Sequence, residues 1–263
     1  IEQGVIADLD PSVVALAIFS IIQWFPVWMN RKHAANASSV MASVLSLVTN
    51  GLASEPHEFE DIDFPAIGEI DADSFNREIQ NHNKREAFYR VGSAHFNQKG
   101  YKGTSLDEIA SSLDVTKGAF YYHIKNKEEL LYQCFNRTLD LEGGLLSEAG
   151  EVGKTGLKKV ELSLRYLFHT QFSDQGPLIR YRALPSLGQD HRKRVLKATK
   201  ENSEKLGAYI RQGLIDGTVR NIDSEITQNM LSGAVEASPE LADWLPDLRG
   251  KDLSSDYFYL FIN

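Results

Sequence analysis

Arg85 to Leu131 reads REAFYRVGSAHFNQKGYKGTSLDEIASSLDVTKGAFYYHIKNKEELL, and the fold turns on this stretch. Just ahead of it, Asn83 with Glu86 at the third helical position forms a capping pair that opens a helix. Phe88, Val91, Gly92, His95 and Phe96 recur at helical spacing until Gly100 ends the run. Thr104 or Ser105 starts a second helix with Leu106, Ile109, Ala110 and Leu113 inward, and Thr116 starts a short third. Asn126 and Glu129 cap a long fourth. The turn at Asp114 and Val115 is tight, so the second and third helices cross steeply. That arrangement lets the third helix enter a groove about one helix wide. Val115, Phe120 and Ile124 face the core, which leaves Thr116, Lys117, Gly118, Ala119, Tyr121, Tyr122 and His123 outward. A lysine, two tyrosines and a histidine make a poor surface for solubility alone and a good one for phosphates and base edges.

These residues strongly resemble the DNA-binding domain of the TetR/AcrR family of bacterial repressors. The likeness rests on Phe96, on Gly100-Tyr101 closing the first helix, and on Thr104-Ser105, Ile109-Ala110 and Val115-Thr116. It continues through Lys117-Gly118-Ala119-Phe120-Tyr121-Tyr122-His123 and Asn126-Lys127-Glu128. His95 stands where the family usually has an aliphatic residue, and Ile124 replaces a frequent Phe. The resemblance implies an all-α, TetR-like fold: a three-helix helix-turn-helix domain joined to a helical-bundle regulatory and dimerisation domain. It implies double-stranded DNA as the partner and the outward positions named above as its contacts.

Chemistry divides the work among them. Lys117 is long, charged and early in the third helix, suited to guanine edges. Gly118 and Ala119 let the backbone approach closely, and Ala119 can touch a thymine methyl. Tyr121, Tyr122 and His123 can donate to phosphate oxygens. Lys127 adds charge beside a helix N-terminus, itself a phosphate site, and Thr104 and Ser105 do the same at the second helix.

Net charge looks adverse at first. The 263 residues sum to −8. Between Lys84 and Lys127, however, eight basic residues stand against four acids, a local +4 that leaves −12 on the rest. A small basic module on an acidic body shows that asymmetry. A hydrophobic content of 42% with 24% charged residues fits a soluble globular protein, of one large domain or two modest ones. Cys134 is the single cysteine, so no intrachain disulfide forms and a cytoplasmic location is expected.

Around the decisive stretch the chain divides into four. Residues 1–51 read as two helices, the second with Met41, Val44, Leu45 and Val48 on one stripe. Residues 52–81 carry many acids, with Pro56 and Pro65, and read as an acidic linker. Residues 82–142 are the helix-turn-helix domain. Residues 143–263 resemble the family's effector-binding and dimerisation half. There Val160, Leu164, Leu167, Phe168 and Phe172 form one apolar stripe, and Leu206, Tyr209, Ile210 and Leu214 another. An apolar pocket is expected between the two, with Arg165, Tyr166, His169, Phe172 and Tyr209 as effector contacts.

An internal repeat links the two ends. Ile1-Glu2-Gln3-Gly4-Val5-Ile6 resembles Ile210-Arg211-Gln212-Gly213-Leu214-Ile215. Beyond a short offset, Asp10 falls on Asp223, Pro26 on Pro239 and Asn50 on Asn263. The first 51 residues thus read as the tail of a first TetR-like unit, followed by a nearly complete second. Pro11 to Met29 is apolar and about the length of a membrane span. Its repeat counterpart, Ser224 to Ala242, carries Glu225, Gln228, Asn229, Glu236 and Glu240, which points to a buried bundle helix instead. Family members dimerise through their last two helices. The two such pairs here are expected to pack within the chain as a pseudo-dimer burying Ile18, Ile22, Phe25 and Met41, a homodimer being the other possibility.

No metal-spaced His/Cys cluster, nucleophile motif or Gly-rich phosphate loop stands out, so no catalysis, cofactor or metal is expected. The expected function is a sequence-specific DNA-binding regulator, a repressor released by a small apolar effector. The competing reading is a helical interaction module of the same fold without an effector.

Overall fold

A computed structural model describes residues 10–29, 36–65, 77–241 and 253–263. The helices in chain order are α1 (Pro11–Trp28), α2 (Ala37–Asn50), α3 (Arg77–Gly103), α4 (Leu106–Ser112) and α5 (Lys117–His123). They continue with α6 (Lys127–Val152), α7 (Gly156–Phe172), α8 (Gln189–Asp216), α9 (Ser224–Ala237) and α10 (Ser254–Ile262), with 3₁₀ turns at Tyr181–Ser186 and Ser238–Glu240. Among the described residues no strand forms. A lone antiparallel bridge joins Ala53 and Val219. No helix among them is long and apolar enough to cross a membrane, the apolar α1 included.

The chain forms two compact units. The head comprises Ala66–Gly144 and Thr170–Asn202. Its first helix, α3, begins at Arg77, earlier than the Asn83 cap predicts, because no breaker lies between and Glu78 suits the first turn. Gly100 leaves the helical path at φ 69°, and Asp114 takes φ 53° in the tight turn between α4 and α5. Phe88, Phe96, Ile109, Phe120, Ile124 and Leu130 are buried at the centre. The Phe88 and Phe120 rings lie 5.0 Å apart. Arg137, also buried, is held by Glu86 at 2.8 Å and donates to the Gln175 carbonyl at 2.8 Å. The buried Cys134 thiol donates to the Tyr89 carbonyl at 3.2 Å.

The body comprises Ile1–Pro65, Leu145–His169 and Ser203–Asn263. Within it α1 and α2 pack on α9 and α10, the contact expected of the two repeated pairs. Asp10 and Asp223 cap their helices alike. Asp10 caps α1 by accepting from the Ser12 amide at 2.7 Å, with Pro11 at the first helical position. Asp223 caps α9 by accepting from the Glu225 and Ile226 amides, both at 2.9 Å. Gly51 ends α2 at φ 60° and abuts the Asn263 backbone, leaving no space for a Cβ. Trp24 likewise fills the place a side chain at Gly233 would need.

The buried face of this pair differs from the one expected. Val13, Leu16, Ala17, Ile21 and Trp24 are inside on α1, and Val40, Val44 and Leu47 on α2. Ile18, Ile22 and Met41 are exposed, as is Leu45 at 59%, while Phe25 is half-buried. Helix α1 is apolar on every side, so periodicity could not choose its inward face. The repeat counterparts of Ile18, Ile22 and Leu45 are Leu231, Val235 and Phe258, all buried in the body.

Residues 52–65 are no free spacer. The Leu52 and Ala53 amides donate to the Ile262 carbonyl at 3.0 and 2.8 Å. The Asn263 side chain brackets His57, accepting from its amide at 2.7 Å and donating to its carbonyl at 3.0 Å. His57 then meets buried Glu161 at 2.9 Å, where Lys158 and Arg165 also converge at 2.9 Å each. Residues 66–76 of the expected linker lie outside the described residues.

Candidate nucleic-acid interface

Helix α5 is short and amphipathic. Phe120 points fully inward, and Ile124, just past the end, is buried with it. The Thr116 hydroxyl caps the helix by accepting from the Ala119 amide at 3.2 Å. The opposite surface presents Lys117, Gly118, Ala119, Tyr121 and Tyr122 to solvent, Tyr122 at 83% exposure and Tyr121 at 45%. A Cβ added at Gly118 would meet nothing within 4 Å, so the backbone there is open to close approach. His123 is half-buried, with its ring 5.7 Å from Phe88. Burial, then the charges of Arg85 and Lys84, lower its pKa, so the imidazole of the free protein is neutral at pH 7.

Asp107 on α4 is the feature the sequence did not flag. Its carboxylate takes Lys117 Nζ at 2.6 Å and the Tyr121 hydroxyl at 3.3 Å. The Lys117 hydrogen bond holds the Asp107 carboxyl below its ordinary range and raises Lys117 in return. The signal was present: Lys117 and Tyr121 are four residues apart, hence on one helical face. In sequence, though, Asp107 looks like an ordinary first-turn acid.

Two candidates are engaged elsewhere. Thr104 is only 3% exposed, and its hydroxyl donates to the Gly100 and His95 carbonyls at 2.8 and 3.1 Å. It satisfies the end of α3, where Gly100 breaks the helical ladder, and is not offered to phosphate. Lys127 is half-buried, donates to the Thr104 carbonyl at 3.0 Å and lies 4.6 Å over the Tyr101 ring. It staples α6 to the end of α3. Ser105 is exposed, and its side chain makes no capping hydrogen bond.

The effector candidates do not share one cavity wall. Arg165 is buried and taken by Glu161, by the Ser254 hydroxyl at 3.0 Å and by the Glu60 carbonyl at 2.7 Å. The Tyr209 hydroxyl donates to the Leu146 carbonyl at 2.8 Å. Phe172, expected on the buried stripe, is exposed. Tyr166 and His169 do come together, on either side of Phe64, whose ring stacks on His169 at 3.8 Å and meets Tyr166 edge-on at 6.3 Å. At one end of the expected pocket a side chain at Gly156 would meet the Gly213 backbone, and one at Gly213 would meet Val219. A cleft of about 840 Å³ opens instead beside Tyr166, between residues 57–65 and the facing ends of α6 and α7. Among the described residues no group of three or more His, Cys, Asp or Glu is placed to hold a metal ion.

Residues 89–134 match the family of bacterial regulatory proteins described as the tetR family. The transposon Tn10 TetC protein of Escherichia coli is 25% identical over 138 residues, 52% of this chain and 69% of that protein. IcaR of Staphylococcus epidermidis, an HTH-type negative transcriptional regulator of the biofilm operon icaADBC, is 45% identical over 49 residues, 17% of this chain and 26% of its own length. The crystal structure of AibR in complex with isovaleryl coenzyme A and operator DNA superposes with a TM-score of 0.56 at 23% identity. That match covers 67% of this chain and 96% of AibR.

Proposed function

We propose that the chain is a member of the tetR family of bacterial regulatory proteins and a sequence-specific DNA-binding repressor released by a small effector with an apolar body. The outward face of α5 carries the reading: Lys117, Gly118, Ala119, Tyr121 and Tyr122 exposed on a helix seated by Phe120. Charge, open backbone and hydroxyl donors occupy one surface of groove-fitting width. Ser105 adds a phosphate contact from α4. IcaR is a negative regulator, which supports repression, and AibR of like fold holds operator DNA and an acyl-coenzyme A, which supports an effector in the body.

The two ends of the chain act as an intrachain pseudo-dimer. Helices α1 and α2 stand where a second subunit's last two helices would stand against α9 and α10. Residues 1–51 are then the end of one regulatory body and 82–263 a second unit with its own reading head. Selection of bound duplexes from a random pool tests the function. Enrichment of one sequence, bound well above random DNA at physiological salt, is the expected result. Equal binding of all duplexes, or none, defeats it.

A further inference from the structure

We propose that the cleft beside Tyr166 is the effector site and that its ligand is a lipophilic monocation with an aromatic-sized body. The proposal rests on the reading that the body takes a small effector, and adds the place and the charge. About 840 Å³ falls within the range that drug-sized ligands occupy. Phe64, Tyr166, Leu162 and Val152 supply the apolar lining. The first two pack edge-on at 67° with Phe64 backed by His169, an aromatic wall for the body of a ligand.

Charge decides the sign. Glu148 from α6 and Asp63 from the 57–65 segment both line the cleft. Burial, then these two carboxylates, raise the pKa of the Tyr166 hydroxyl, so both acids act at the aromatic corner. Neither makes a hydrogen bond or ion pair with another described residue. Glu58 and Asp61 add further negative charge to the lining, where Glu60 is paired with Lys158. On the basic side Lys158 is spent on Glu161 at 2.9 Å and Glu60 at 3.3 Å, and His57 is turned to Glu161. Lys154 remains against that surplus. Carboxylates facing a cavity are stabilised when an opposite charge enters with a body that displaces water. An anion of the same shape meets net repulsion.

This wall could not come from the regulatory half alone. Asp63 and Phe64 lie ahead of the DNA-reading domain in sequence, on the segment that Asn263 and Glu161 hold in place.

Tetraphenylphosphonium and tetraphenylborate are near-identical in shape and opposite in charge. Calorimetric titration of each into the intact chain without DNA is the test. Micromolar binding of the phosphonium, with the borate at least tenfold weaker, is the expected result. The double variant Asp63→Asn, Glu148→Gln should lose at least tenfold in phosphonium affinity at an unchanged melting temperature. Should that variant melt early, Val152→Trp at an exposed lining position blocks the cleft sterically and should abolish binding. Equal or stronger borate binding overturns the proposal. So does binding of neither ion, or phosphonium affinity untouched in both variants. A chain that takes the phosphonium but binds no duplex leaves this site standing and defeats the regulator reading. A chain that selects DNA but ignores the phosphonium defeats this site alone.

Discussion

Lys117 Nζ lies 2.6 Å from a carboxylate oxygen of Asp107, so the residue best placed to read a base is held by an acid on the preceding helix. Both groups are exposed, and DNA binding exchanges one partner of the ammonium for another. Lys117→Ala should cost roughly 1–3 kcal/mol on the preferred sequence and relax discrimination at one base pair. Asp107→Asn should do the reverse for affinity, tightening binding to all duplexes and steepening its salt dependence, because a competing carboxylate is gone. Fluorescence anisotropy against salt measures both. Two variants indistinguishable from the parent would remove α5 as the reading helix.

The head was legible because local signals agreed there. Capping residues, apolar spacing and the short turn all describe one arrangement, and Phe120 and Ile124 are buried as their positions require. What escaped was long-range. Nothing near Thr104 tells that the φ of Gly100 leaves carbonyls for its hydroxyl, and nothing near Lys127 tells that a carbonyl and a tyrosine ring will claim it. Residues 52–65 looked like a solvated spacer because acids dominate. Their partners Asn263, Glu161 and Ser254's neighbour Arg165 lie more than a hundred residues away, beyond any periodicity.

Lys127 tests that distinction. Lys127→Ala removes a hydrogen bond worth about 1 kcal/mol and a cation–π contact worth roughly 0.5–1 kcal/mol. Unfolding free energy should fall by about that sum, measured by urea titration. The salt slope of DNA binding should stay as it is. A shallower slope with unchanged stability would return Lys127 to the phosphate-contacting set.

Glu161 is the hub of the body. Burial opposes its ionisation, but hydrogen bonds from His57, Lys158 and Arg165 prevail and hold its pKa below the ordinary 4.5. Glu161→Ala leaves the buried Arg165 guanidinium without its acid and should cost about 3–5 kcal/mol, the usual penalty for breaking a buried pair. The sign with pH follows from the lowered value. The stabilisation is complete above 4.5 and is lost as pH falls through the lower folded-state value, where the unfolded chain already holds its proton. Urea midpoints from pH 7 to pH 3 should therefore drop more steeply below pH 4.5 in the parent than in Glu161→Gln. Parallel curves would show that the cluster carries no net stability.

The last prediction concerns which face of α1 holds the body together. Leu16 is 1% exposed and Trp24 packs against Gly233, whereas Ile22 is 56% exposed and Leu45 on α2 also faces out. Leu16→Ala should cost about 2–5 kcal/mol and Trp24→Ala about 3–5 kcal/mol, through lost burial and the cavities left behind. Ile22→Lys and Leu45→Lys should stay within about 0.5 kcal/mol of the parent, as surface changes do. Thermal and urea unfolding of the four variants measure this directly. Should Ile22→Lys unfold the body as readily as Leu16→Ala, the helix is turned the other way, with Ile18, Ile22 and Phe25 inward. Should all four be neutral, α1 does not pack on α9 at all, and the intrachain pseudo-dimer falls with it. The contrast matters because the counterparts of Ile22 and Leu45 in the repeat, Val235 and Phe258, are buried. Val235→Lys and Phe258→Lys should therefore be severely destabilising where Ile22→Lys and Leu45→Lys are not. The two helix pairs share a pattern, yet Phe258 in the second lies against Phe168 of α7, ring centroids 5.9 Å apart, where Leu45 in the first faces out.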